Sequence, residues 1–328
     1  MPANPGTDGI DGPQCAVMEP SRGRSRAGSG AAALAVIPPV HASVFADPEW
    51  VAPFAREAER LGVESLVLPE HVVLAVDYTS RYPYSRSGRV PLAADCVMPD
   101  PLDTLAYVAG ITTTLGLSTG LLVLPLHHPL ALAKRAATVD RLSGGRLRLG
   151  VGLGWMREEI EAGGVDFASR GERADETIDA VRALWSADSQ RGAHFEGRHF
   201  AFTGVQSFPR PAQAGGVPIE VGGTSPAAIR RAARRGDGWL SLGLRGDRLA
   251  DALRRLTDET IAAGRDPAGV EVTLSGVTTS DSVDRATLEQ AGALGARRVV
   301  INMAAADLAE ARDELRQVAA RAELTPAP

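Results

Sequence analysis

Between residues 33 and 322 short apolar runs alternate with longer amphipathic ones. "LAVI" (34–37) predicts a strand. The helix pattern "DPEWVAPFAREAERLG" (47–62) follows, with Asp47 as N-cap, Pro48 at the first helical position and Gly62 at the end. "ESLVLPEH" (64–71) predicts a second strand, and "DPLDTLAYVAGITTT" (100–114) repeats the Asp-Pro helix start. "LGLSTGLLVLP" (115–125) and "RLRLGVGLG" (146–154) predict the third and fourth strands, with helices over 128–145 and 170–185. Four more strands are expected in "VPIEVGG" (217–223), "WLSLG" (239–243), "GVEVTLSGVT" (269–278) and "RRVVINM" (297–303), with helices over 225–238, 247–264, 284–295 and 307–322. Strict β–α alternation implies a parallel sheet with right-handed crossovers. Eight such units over roughly 290 residues predict an α/β fold, a (β/α)8 TIM barrel, for which about 250 residues is typical. A doubly wound open sheet is the alternative, and it rarely needs eight equal units in a row.

Two insertions break the regular spacing. "VVLAVDYTSRYPYSRSGRVPLAADCVMP" (72–99) follows strand 2, on the face where barrel active sites are built. The second, 187–216, belongs to the unit of strand 4, carries aromatics and predicts a hairpin. Loops of this length in a compact domain are commonly functional or disordered.

Composition adds boundaries. Residues 1–30 are rich in Gly, Pro, Ser and Arg without periodicity and are expected to be a disordered tail, leaving 31–328 as the barrel domain. A signal peptide is disfavoured because "IPP" interrupts the apolar segment, and either Met1 or Met18 could be the start. No run of about 18 apolar residues occurs, so no membrane span is expected. The net charge of −5 is spread along the chain and no basic run of the required density occurs, so no nucleic-acid footprint is read. The two cysteines, Cys15 and Cys96, lack metal-ligand spacing, so no metal is expected and a reducing cytoplasm fits.

Several short stretches carry candidate chemistry. In "GVGLGWMREE" (150–159) the sixth position of a dinucleotide fingerprint is Trp155, so that motif fails. Glycines on alternate strand residues point to one face, where either core packing or a flat ligand could demand bare backbone. "EVGGTSPAAI" (220–229) places Gly222, Gly223, Thr224 and Ser225 at a helix start, a ready anion site or a plain cap. "PEH" (69–71) ends strand 2, where Glu70 and His71 point to opposite faces and only one can face the barrel mouth. His71 suits acid/base or hydrogen-bonding work there. His127 and His128 lack partners at metal spacing and are assigned to capping or a polar contact. No nucleophile elbow is present.

Taken together, "STGLLVLPLHHPLALAKRAATVDRLSGGRLRLGVGLGWMREE" (118–159), "LPEHV" (68–72) and "VPIEVGGTSPAAIRRAARRGDGW" (217–239) resemble the bacterial luciferase-like oxidoreductases. "RYPYS" and "GWMREE" resemble the actinobacterial branch that uses the deazaflavin coenzyme F420. The resemblance implies a cofactor ring over Gly120 and Leu121, beside Glu70 and His71 as catalytic candidates. It implies Gly152, Gly154 and Trp155 along the ring edge and the phosphate at Gly222, Gly223, Thr224 and Ser225. It also implies a non-proline cis peptide at Gly120–Leu121. Some deazaflavin relatives carry a carboxylate proton donor where Trp155 stands, which leaves His71 for that role here. The expected activity is hydride transfer between F420 and a small organic substrate. The alternatives are an FMN-dependent monooxygenase served by a separate flavin reductase, and a non-catalytic flavin or deazaflavin binder. A homodimer is expected.

Overall fold

The computed structural model describes residues 30–326, so the expected tail, apart from Gly30, lies outside the described residues. The sheet runs through β1 (Ala33–Ile37), β2 (Ser65–Leu68), β3 (Gly116–Thr119), β4 (Leu122–Val123), β5 (Leu147–Gly152), β8 (Ile219–Gly222), β9 (Gly238–Leu242), β10 (Glu271–Ser275) and β11 (Ala296–Asn302). Between β5 and β8, the strands β6 (Ala193–Glu196) and β7 (Ala201–Val205) form a separate antiparallel hairpin. All pairings of the large sheet are parallel, and β3 meets β5 at Leu117–Leu147 and Ser118–Arg148, which closes the barrel. β4 resumes the line of β3 after a two-residue break, so the barrel has the eight strands the pattern predicts.

The helices follow their local signals. α1 (Pro48–Arg60) is capped by Asp47, which accepts from the Glu49 N–H at 2.9 Å. α2 (Pro101–Ile111) is capped by Asp100, which accepts from Leu102 and Asp103. α3 (Pro129–Leu142) packs against α5 (Arg170–Trp185), and the hairpin turn seats on Glu176 of α5: its carboxylate accepts from the N–H groups of Arg198, His199 and Phe200. A short helix absent from the periodicity reading, α4 (Arg157–Ala162), lies between β5 and α5. The shell is completed by α6 (Pro226–Arg235), α7 (Gly246–Ala262), α8 (Arg285–Ala293) and α9 (Leu308–Arg321). β2 ends at Leu68 and not at His71, because Pro69 has no N–H to continue the ladder. None of the described helices is long and apolar enough to cross a membrane.

Alternation along the strands divides two environments. Leu34, Val36, Leu66, Leu117, Leu149, Trp239 and Val299 belong to the large apolar layer between sheet and helices. Ala35, Val67 and Val300 form a separate small cluster inside the barrel. Beside that cluster the interior is charged. Arg298 on β11 donates to Glu64 (2.9 Å), Glu220 on β8 (3.0 Å) and Glu271 on β10 (2.7 Å). Arg148 on β5 makes a two-pronged contact with Glu64 at 2.8 and 3.1 Å and also donates to Ser65. Glycine makes the room: a Cβ on Gly116 would stand 2.9 Å from the Ser65 Cβ, and one on Gly238 would stand 2.9 Å from the Glu220 Cγ. Burial alone would raise the Glu64 carboxyl, but the Arg148 and Arg298 guanidiniums overcome it and hold the group at about 2.

Removing one partner of such a network strands the others. Arg298→Met is expected to destabilise the fold by about 3–5 kcal/mol at neutral pH. The Glu64 contribution is fully present above its ordinary 4.5 and is lost as pH falls toward about 2, so the gap between wild type and variant narrows across that window. Urea unfolding at about pH 7 and about pH 3 measures it; a gap that is constant with pH contradicts the account.

Candidate functional site at the barrel mouth

The floor of the mouth is a leucine. The Gly120–Leu121 peptide is cis, at the bond the resemblance implied. The half-buried Leu121 side chain lies against β5 and β8: a Cβ on Gly152 would stand 3.0 Å from its Cδ1, and one on Gly222 would stand 2.2 Å from the same atom. A Cβ on Gly150 would stand 2.1 Å from the Thr119 carbonyl oxygen. The alternating glycines of "GVGLG" therefore admit the end of β3 and Leu121 into the barrel, and Leu121 lies against both Gly152, expected at the ring edge, and Gly222, expected at the phosphate. Gly154, at φ +75°, faces Val123 and Ile160 instead.

Glu70 and His71 diverge, each toward a different partner. The buried Glu70 carboxylate accepts from the Val123 N–H at 2.6 Å and lies 2.9 Å from His127 Nε2. That carboxylate braces the segment after Leu121. His71 turns instead toward α4 and Trp155. Its Nδ1 lies 2.8 Å from Glu159 Oε2, and its ring meets the Trp155 edge at 5.7 Å.

The insertion after β2 is fastened over this corner. Trp155 packs edge-on against Tyr78 and Tyr82, at 5.4 and 5.1 Å between ring centres. Burial raises the Tyr82 phenol, which keeps that ring neutral. Two glutamates of α4 hold the backbone: Glu159 accepts from Val72 and Val73, and Glu158 accepts from Thr79 and Ser80. Burial of Glu158 would raise its carboxyl, but bonds from Ser80 and Thr79 outweigh that and hold it at about 2. Further along, the Val97 N–H donates to Ser43 Oγ at 2.9 Å, which ties the insertion to the loop after β1.

On the β8 side, Ser225 caps α6 by accepting from the Ala228 N–H at 3.2 Å. The Gly223 N–H is not free as expected: it donates to the Leu240 carbonyl on β9, continuing the ladder one residue past β8. The N–H groups of Thr224 and Ser225 have no hydrogen-bond partner among the described residues. Gly222, adjoining this turn, touches Leu121, so the α6 N-terminus borders the floor of the mouth.

The mouth thus gathers His71, Gly120, Leu121, Gly152, Trp155, Thr224 and Ser225 on one side of the barrel. Sequence reasoning missed Glu158 and Glu159. Both stand in the quoted "GWMREE", but nothing in the spacing ties them to a loop about eighty residues earlier.

The family model for luciferase-like monooxygenases matches residues 22–328, and the chain belongs to that family of oxidoreductases. An uncharacterized Mycobacterium tuberculosis protein is 34% identical over 222 residues, covering 67% of this chain and 75% of its own. The oxygenase component of a flavin-dependent trigonelline monooxygenase from Acinetobacter baylyi is 34% identical over 142 residues, 43% of this chain and 38% of that protein. An F420-dependent secondary alcohol dehydrogenase, solved with an F420-acetone adduct, superposes with a TM-score of 0.68 at 15% identity over 89% of this chain and 99% of that one. At that identity the likeness is one of fold.

The two kinds of glycine contact predict different costs. A Cβ at Gly150 meets backbone that cannot yield, so Gly150→Ala is expected to cost about 3 kcal/mol or more. Gly222→Ala meets a side chain that can turn into the open mouth, so about 1 kcal/mol is expected. Chemical denaturation of both variants checks this, and equal costs contradict it.

Proposed function

We propose that this chain is an oxidoreductase that holds coenzyme F420 at the barrel mouth and moves hydride between it and a small organic substrate. The observation that carries the reading is the pair of N–H groups, on Thr224 and Ser225, without a partner among the described residues, at the start of α6 and beside the Leu121 floor. Backbone N–H groups and the helix dipole together favour a phosphate. Leu121 and Trp155 offer apolar faces for a planar ring, and His71 stands at the ring edge. The bound deazaflavin supplies hydride chemistry that no side chain here can supply.

The chain's own residues do the rest. Thr224 and Ser225 bind the phosphate, and Leu121 sets the depth of the ring. Trp155, with Tyr78 and Tyr82, walls the corner against water. His71 gives or takes the proton that accompanies hydride transfer. A cytoplasmic homodimer, supplied with reduced cofactor by a separate reductase, completes the proposal. The flavin-dependent relative from Acinetobacter favours a second reading, in which reduced FMN and O2 replace F420.

Fluorescence titration of the full chain with F420 and with FMN separates the two readings. F420 is expected to bind at least tenfold more tightly, a difference of about 1.4 kcal/mol; the reverse order overturns the first reading in favour of the second. Ser225→Asp preserves an N-cap but adds charge where the phosphate is held. It is expected to leave thermal stability nearly unchanged and to weaken cofactor binding about tenfold or more. Unchanged affinity removes the anion site.

A further inference from the structure

The reading above uses His71 but leaves the carboxylate behind it unassigned. Glu159 is fully buried, on a helix that closes over the insertion. Its Oε1 accepts from the Val72 N–H at 2.7 Å and the Val73 N–H at 3.4 Å. Its Oε2 lies 2.8 Å from His71 Nδ1. Two of these three neighbours are obligatory donors, and an ionised carboxylate only accepts. Against an ionised Glu159 the third neighbour donates as well, so the proton of a neutral His71 sits on Nδ1. That leaves Nε2 as the nitrogen that gains and loses a proton. The ring is fixed on a second side by the Trp155 edge, so its rotation is restricted.

We propose that Glu159 is a positioning residue: it locks His71 in the Nδ1–H form and so directs proton exchange with the substrate to Nε2. This rests on the reading that His71 serves the redox step. When Nε2 takes a proton from the substrate, the imidazolium charge is met by the carboxylate already at Nδ1. When the proton returns to the substrate, the ring relaxes to the same Nδ1–H form. No rearrangement of the ring is needed in either direction. Glu70 cannot do this work, because its carboxylate is spent on Val123 and His127.

Glu159→Gln tests the assignment through a specific inversion. The two backbone donors Val72 and Val73 keep the single amide oxygen, which turns the amide NH2 toward His71. Nδ1 must then accept, and the ring proton moves to Nε2. The readout is long-range 15N–1H NMR of the full chain labelled at histidine, with the His71 signals assigned by their loss in His71→Ala. The expected result is an Nδ1–H ring in wild type and an Nε2–H ring in Glu159→Gln. The variant's kcat is expected to fall at least tenfold, with KM changed less than about twofold.

An Nε2–H ring in wild type overturns the proposal whether or not the variant folds. An unchanged tautomer in a folded variant, or an inverted tautomer with unaltered kcat, overturns it as well. Failure of wild type to bind either F420 or FMN defeats the functional reading instead, and the NMR result reports the tautomer independently of that failure.

Discussion

Two guanidinium groups, Arg148 and Arg298, sit inside an eight-stranded barrel with the carboxylates of Glu64, Glu220 and Glu271 around them. A buried charge is tolerable only when paired and hydrogen-bonded, so the strands around it are not free to carry ordinary core side chains. Gly116 and Gly238 give the space, and Ser65 and Thr273 add polar contacts. The apolar work of holding the fold is transferred to the layer outside the sheet, where leucine, alanine and Trp239 pack between strands and helices. The network joins β5, β8, β10 and β11 to the start of β2, and so links distant parts of the barrel wall through one set of contacts.

The same economy of side chains shapes the other end. Gly150, Gly152 and Gly222 let the chain after β3 fold inward, so that Leu121 plugs the barrel between the charged layer and the mouth. The mouth above that plug is asymmetric. Its chemistry stands on the ends of β2, β3, β5 and β8, while α4 and the insertion after β2 lean over it. Glu70 and Glu159 are both carboxylates and both buried, yet one braces the floor and the other holds the histidine. Position separates those roles: Glu70 follows the end of β2 beside Val123 and His127, while Glu159 reaches His71 from α4.

Much of this was legible before the fold was known. Asp47–Pro48 and Asp100–Pro101 mark helix starts through local cap chemistry, and the eight β–α units follow from periodicity alone. The cis peptide at Gly120–Leu121 was readable only through family resemblance, since periodicity there shows an uninterrupted strand. The glycine pattern marks bare backbone, with Gly150 and Gly152 meeting the segment after β3 and Gly154 turned toward Val123 and Ile160. What occupied the space was not legible, because Leu121 arrives from another strand. Glu159 and the paired arginines were invisible for the same reason. Their partners lie 88 and 84 residues away in the chain for His71–Glu159 and Glu64–Arg148, and no local spacing encodes such a contact.

The central claim is that a cofactor binds in the mouth built over Leu121. The most direct measurement is a crystal structure of the full chain with oxidised F420. The phosphate is predicted at the Thr224 and Ser225 N–H groups, with the ring against Leu121 and its edge toward His71. A phosphate held away from the start of α6, or a ring lying outside the corner formed by Leu121, Trp155 and His71, would contradict it.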